Sequence, residues 1–331
     1  FSNNIFSKNL FETDQKLINF QDSNINNIKD EEITKIKLQN LNIIFKNVLS
    51  ENDYNKVKRE INEDFANSLI KNIIIEDENI INNSYSANIK VNFNKKFIIN
   101  YLRKKELSYV EFHPKNFLII VFEKNDINKN LFFKKNEFYY FLNNKENKFN
   151  NFYNIPNFDI NDKYILSVED IEQRNFKNIN LVKNKYNSKN IILIEQKKDF
   201  NTSFIDIFYV NENEFIKLKS YNLDSINYDN FFKNLKLLIL DYWKSHNSIQ
   251  NVKLNLINCE IHSLNIYELK EIKKIIDDIS IINQIELLSM TLNKNLYKIN
   301  FYGNLDIFKT LLSMNNVILK ENVNNCIIKL K

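Results

Sequence analysis

Glycine is all but missing from this 331-residue chain: there is one, with two prolines, two cysteines, two methionines and a single tryptophan. Alanine stands only at Ala66 and Ala87, and arginine only at Arg59, Arg103 and Arg174 among 46 basic residues. One glycine excludes the glycine-rich loops that cradle phosphates or dinucleotides, because these need several glycines at fixed spacing. No apolar run approaches the roughly 18 residues of a membrane-spanning helix, which excludes a transmembrane span. Glycine, proline, tryptophan, alanine and arginine draw on GC-rich codons, while the abundant Asn, Lys, Ile, Phe and Tyr have AT-rich ones. The skew is therefore a property of the gene's base composition before it is a property of the protein.

That origin disarms two inferences. The asparagine-rich stretches are interleaved with periodic Ile and Phe, so they are not prion-like tracts. The net charge of +5 comes from scattered lysines with no clustering on one face, so nucleic acid is not a partner. What is present suits a folded protein: 44% hydrophobic and 26% charged residues. The length calls for two or three compact units.

Residues 1–7, Phe1-Ser2-Asn3-Asn4-Ile5-Phe6-Ser7, read as the tail of a secretory signal peptide. An apolar end meets a small residue and then a polar mature start. Residues 8–115 form the first expected unit. A polar lead-in from Glu12 to Asp30 precedes an amphipathic helix with Ile33, Ile36, Leu41, Ile44, Phe45 and Val48 on one face. Asn52-Asp53 starts a second helix carrying Tyr54, Val57, Ile61, Phe65 and Leu69. Strands are expected at Ile73–Ile75, at Ser84–Phe93, where apolar and polar residues alternate, and at Ser108–Phe112, with a helix over Phe97–Lys105.

The middle unit, 116–246, opens on Phe117–Phe122, a continuous apolar run suited to a strand buried on both faces. A helix near Asn136–Leu142 follows, then a polar junction at Asn143–Asn151, a helix over Val168–Tyr186 and a buried strand at Asn190–Ile194. Ser203–Val210 and Glu214–Ser220 make a hairpin in which Asn211–Asn213 supplies the positive φ of the missing glycine. Phe231–His246 is a helix apolar nearly all round, with Trp243 as a core anchor.

The last unit, 247–331, begins beyond the junction at Asn247–Gln250 and reads strand (Val252–Ile257), helix (from Asn265, with Leu269, Ile272, Ile276 and Ile279 inward), then two strands (Gln284–Leu292 and Leu296–Phe301). A helix through Leu305, Phe308, Leu311 and Leu312 and a strand at Asn325–Leu330 complete it. The order β-α-β-β-α-β is ferredoxin-like. The fold class is thus α+β, built of three small α/β units.

Few residues recommend themselves as chemistry. His113, His246 and His262 fall in no zinc-hydrolase pattern, and no serine sits in a nucleophile elbow. Cys259-x-x-His262 has metal-ligand spacing with Cys326 as a third donor, short of a full zinc set. No catalytic, metal or cofactor residue is assigned. Asp159 and Asp162 could form a carboxylate site, or be turn-forming residues beside Pro156. The ferredoxin-like unit lacks the aromatic pattern of an RNA-binding sheet. Gly303 stands at a strand–helix junction, where positive φ or close backbone approach would explain its survival. The first and last strands of the last unit, taken as antiparallel neighbours, should bring Cys259 and Cys326 within about 7 Å, the reach of a disulfide. Gly303, Trp243, Cys259 and Cys326 are therefore the structural residues singled out.

Several segments together resemble an exported proteobacterial family designated domain of unknown function 2066. They are Tyr85-Ser86-Ala87 with Val91-x-Phe93, Tyr109-Val110-Glu111, and Ile155-Pro156-Asn157-Phe158-Asp159-x-x-Asp162. Lys185-Tyr186 before the strand at Ile191, Asp241-x-Trp243, and Tyr302-Gly303-Asn304-Leu305 with Leu311-Leu312 complete the set. The resemblance implies export to the periplasm and brings no catalytic residues. The strand–helix order of the middle unit is also similar to the N-terminal domain of TolB and to curli-secretion accessory lipoproteins. The expected function is a non-catalytic periplasmic or envelope protein that binds other envelope proteins. The alternative is an envelope hydrolase using Asp159 and Asp162.

Overall fold

A computed structural model describes residues 9–125, 129–131, 137–144, 152–157, 159–198, 203–211, 213–222, 227–251, 254–291, 294–321 and 325–331. The expected leader tail, most of the 143–151 junction, the middle of the 211–213 turn and the first two residues of the strand expected at Val252 lie outside the described residues. The chain is α+β, with three separate sheets. It divides into two compact units, 113–243 and 8–112 together with 244–331.

The discontinuous unit begins with a three-stranded antiparallel sheet of β1 (Lys16–Gln21), β2 (Ile70–Ile81) and β3 (Ser84–Phe93), ordered β1-β3-β2. β3 spans the range its alternation dictates: Tyr85, Ala87, Ile89, Val91 and Phe93 are buried and their neighbours are not. β1 lies inside the apparent polar lead-in. It is an edge strand burying only Ile18, which is too little apolar periodicity to read from sequence. The β2–β3 connection is Asn82-Asn83 at φ 47° and 62°. This two-residue turn needs positive φ at both places, so asparagine takes glycine's role here.

Helices α1 (Ile25–Val48), α2 (Glu51–Val57), α3 (Glu63–Leu69) and α4 (Lys95–Lys104) accompany this sheet. The single helix expected over Tyr54–Leu69 is two, because Ile61 is extended and Asn62 caps a new start by accepting from the Phe65 N–H at 2.9 Å. The strand expected at Ser108–Phe112 is one bridge, Tyr109 to Ile249. That bridge helps explain why residues 8–112 and 244–331 share a unit where two were expected. Asn251 Nδ2 donates to Leu107 O at 2.7 Å, and Arg103 donates to Ser280 O at 2.5 Å while its guanidinium lies 4.6 Å from the Tyr302 ring centre. Tyr109 between them is fully buried, and burial first, then the nearby Glu111, push its hydroxyl well above the usual range.

The continuous unit holds a sheet of β4 (Phe117–Asn125), β5 (Lys129–Leu131), β6 (Tyr153–Asn154), β7 (Asn190–Lys198), β8 (Ser203–Val210) and β9 (Phe215–Asn222). Its order is β5-β4-β7-β8-β9, with β6 beside β4. β4 and β7 run parallel in its centre, buried along most of their length, as their continuous apolar runs require. Helices α5 (Glu137–Asn143), α6 (Ile160–Ile165), α7 (Val168–Glu172), α8 (Phe176–Lys185) and α9 (Tyr228–Asn247) complete this stretch of chain. The expected helix over Val168–Tyr186 is broken by Arg174 at φ 55°. α9 is not apolar all round. It buries one stripe, Phe231, Leu235, Ile239 and Trp243, while Leu237 is 63% exposed.

The second sheet of the discontinuous unit comprises β10 (Leu254–His262), β11 (Ile282–Met290), β12 (Lys294–Tyr302), β13 (Val317–Glu321) and β14 (Cys326–Leu330), with helices α10 (Ile266–Asp278) and α11 (Leu305–Met314). Its order is β11-β12-β10-β14-β13. The expected antiparallel pairing of first and last strands does not occur. β14 pairs parallel to β10, because the unforeseen strand β13 follows α11 and turns the chain once more.

Candidate functional site

Among the described residues, two places, one in each unit, join residues named from the sequence to polar neighbours. In the discontinuous unit a cleft of about 480 Å³ opens beside the only glycine. Ser245, His246 and Gln250 line one part of it, and Asn255, Phe301 and Asn304 another. β10 and the end of β12 position the floor through antiparallel pairing of Asn255 with Phe301. Asn304 is the N-cap of α11, accepting from the Ile307 N–H at 2.9 Å. Gly303 has φ +82°, and the Asn255 side-chain amide donates to its carbonyl. A Cβ built on Gly303 would meet Ile249 Cγ2 at 3.6 Å and Ile307 Cδ1 at 3.7 Å, which are ordinary contacts. Backbone conformation, and not crowding, therefore keeps glycine here. Gly303→Ala is expected to destabilise this unit by about 1 kcal/mol in urea unfolding, and an unchanged midpoint would remove this account.

Ser245 Oγ and His246 Nδ1 are 3.0 Å apart at the rim. Polar groups in the cleft are amides, hydroxyls and an imidazole around the apolar Phe301, Leu256 and Leu305, with no carboxylate, lysine or arginine in the lining. Such a lining suits an uncharged, hydrogen-bonding ligand with apolar parts. From sequence only Gly303 pointed here, because its neighbours in the cleft come from three separated segments.

The second place is the carboxylate pair of the continuous unit. Asp159 caps α6, its side chain accepting from the Asp162 N–H at 2.8 Å. Lys185, at the end of α8, places its ammonium 2.9 Å from Asp159 Oδ1 and 2.7 Å from Asp162 Oδ1. The Tyr186 hydroxyl donates to Asp162 Oδ2 at 2.6 Å and accepts from the Asn157 N–H at 2.7 Å. Asp162 is fully buried. The structure thus brings the two sequence-named carboxylates together, and adds Lys185 and Tyr186. Lys185 holds the Asp159 carboxyl below the usual carboxylate range, and the two carboxylates raise the ammonium above the usual lysine range. Burial and the bond to Asp162 push Tyr186 up to about 12. Asp159 is therefore ionised near neutral pH and has no proton to give. The arrangement fastens Asn157 and the start of α6 to the end of α8.

Cys259 and Cys326 are disulfide-bonded, with Cα atoms 4.3 Å apart. Cys259 is inside β10, not past its end, and faces Cys326 directly across the parallel pair. The spacing that suggested a metal fails for a local reason. Residues three apart on a strand point to opposite faces, and His262 instead lies 3.0 Å from the Glu260 carboxylate, lowering its pKa. Among the described residues no cluster of three metal-ligating side chains forms, and no helix is long and apolar enough to cross a membrane. No protein-family model, no curated protein and no solved structure matches this chain.

Proposed function

We propose that this chain is an exported, non-catalytic component of the bacterial envelope that holds an uncharged segment of another envelope protein in the cleft beside Gly303. The cleft carries the reading: an apolar floor with several convergent neutral hydrogen-bonding groups is how a binding site fixes a neutral ligand. The disulfide supports the compartment, because such bonds persist in the periplasm and are rare in a reducing cytosol. Membership of the domain of unknown function 2066 group belongs to the same proposal. It is supported by Lys185-Tyr186 and the Asn157–Asp162 segment, two parts of the resemblance that meet in one hydrogen-bond network. The ferredoxin-like reading is supported by β10, β11 and β12 lying in that fold's order, with β14 added beside β10. The TolB-like reading of the middle unit rests on its strand–helix order alone.

A photo-crosslinking side chain at Leu256 in the cleft should capture a discrete envelope protein, and the same group at Leu17, exposed on β1, should not. Equal capture from both positions would sink the proposal. So would turnover of ester, peptide, glycan or phosphate substrates by the purified chain.

A further inference from the structure

The backbone edge of β11 pairs with no strand among the described residues, since β12 is its only neighbour. Exposed edges invite pairing with another strand, and proteins commonly block them with lysine. This chain does so elsewhere. β1 carries Lys16, β2 Lys71, β5 Lys129, β9 Lys217 and Lys219, and β13 Lys320. Apart from the two-residue β6, β11 is the one described sheet edge without a lysine, although lysine is abundant in the chain. It has no proline either, and Leu287, Leu288 and Met290 are 46–63% exposed along it.

The geometry points to a second copy of this chain as the occupant, with β11 pairing antiparallel to its own symmetry mate about Ile285. Irregularities between Ile282 and Gln284 and between Leu287 and Ser289 leave Gln284–Leu287 as the regular stretch, and Ile285 lies within it. A two-fold axis there sets Gln284 opposite Glu286 of the second copy, twice by symmetry, so each carboxylate faces an amide donor and not its like. Glu286, the only ionisable residue of β11, already has Lys298 Nζ at 3.9 Å on β12, so no uncompensated charge enters the joint. Both residues share the face turned away from the buried Tyr297, Ile299 and Phe301, so the register preserves inside and outside. The two five-stranded sheets become one. This inference does not depend on the cleft or on its ligand.

The native cysteines are both in the disulfide, so Ile285→Cys introduces the only free thiol. Directly opposed residues have Cα atoms about 4.5–5.5 Å apart, within disulfide reach. Mild oxidation should therefore link Ile285→Cys chains in pairs, and Ile318→Cys on the opposite edge should stay single. Light scattering should give twice the chain mass for the unmodified protein. Leu287→Lys, at an already exposed side chain, should weaken the dimer by about tenfold or more, because the charge enters twice. A single-chain mass up to roughly 100 μM, where only weak contacts remain unformed, would overturn the inference. So would a dimer indifferent to Leu287→Lys with no link at position 285, or a co-purified foreign strand protecting β11 from hydrogen exchange.

Discussion

Replacing Cys259 and Cys326 together with alanine should lower the stability of the discontinuous unit by about 4 kcal/mol. The two residues are 67 apart in sequence, and the loop they close contains the end of β10 and all of α10, β11, β12, α11 and β13. A cross-link over a loop of that length removes unfolded-state entropy worth about 4 kcal/mol in the chain-entropy account. Alanine is the appropriate replacement because both sites are fully buried, where a serine hydroxyl would add its own desolvation cost. Urea unfolding of wild type with and without reductant provides the matched control, and both routes should give the same loss. A loss under about 1 kcal/mol would mean that the unfolded chain is already compact here.

Asp162→Ala should destabilise the continuous unit by about 3 kcal/mol, at the lower end for breaking a buried ion pair because Lys185 reaches solvent. The change leaves the Tyr186 hydroxyl without its acceptor and Lys185 with Asp159 alone. Trp243, the only tryptophan, is buried in this same unit, so its fluorescence reports the transition. The pH dependence has a defined sign. Asp159 has a lowered folded pKa, so its contribution is present above the unfolded carboxylate value of about 4 and is lost as pH falls through the folded one. Lys185, raised in the fold, contributes below the unfolded lysine value of about 10 and loses that contribution as pH rises through the folded one. Lys185→Gln should therefore flatten the acid limb of the stability profile. An acid limb identical to wild type would show that Asp159 owes nothing to this lysine.

Strong periodicity survived the compositional skew. The alternation from Ser84 to Phe93 and the apolar runs at Phe117 and Asn190 were legible because each strand's burial follows its own residues. The helix break at Arg174 was not legible, since nothing in a helical pattern of side chains marks a residue at φ 55°. β1 and β13 were missed for a different reason. A short strand that buries one or two side chains is defined by its partner's hydrogen bonds more than by its own pattern. Asn82-Asn83 shows the skew itself at work: in a chain with one glycine, asparagine fills turn positions that would otherwise read as Asn-Gly.

The site divides along the same line. Part of the local backbone geometry was in the sequence: Gly303 signalled positive φ or a close approach, and Asp159 a turn-forming residue beside Pro156, although the helix that it caps was not foreseen. The disulfide shows the boundary most sharply. The sequence placed Cys259 and Cys326 near each other on the premise of antiparallel first and last strands, whereas β13 reverses the chain and makes the pair parallel. Proximity held because both strands neighbour in either arrangement, but register and direction came from the tertiary fold. By itself the sequence determined which segments are apolar, and hence which become central strands and buried stripes. Only the tertiary structure decided that Lys185 answers two carboxylates some two dozen residues away, and that residues 8–112 close against 244–331. Such partners are selected by packing between distant segments, and packing leaves no periodic trace in either segment alone.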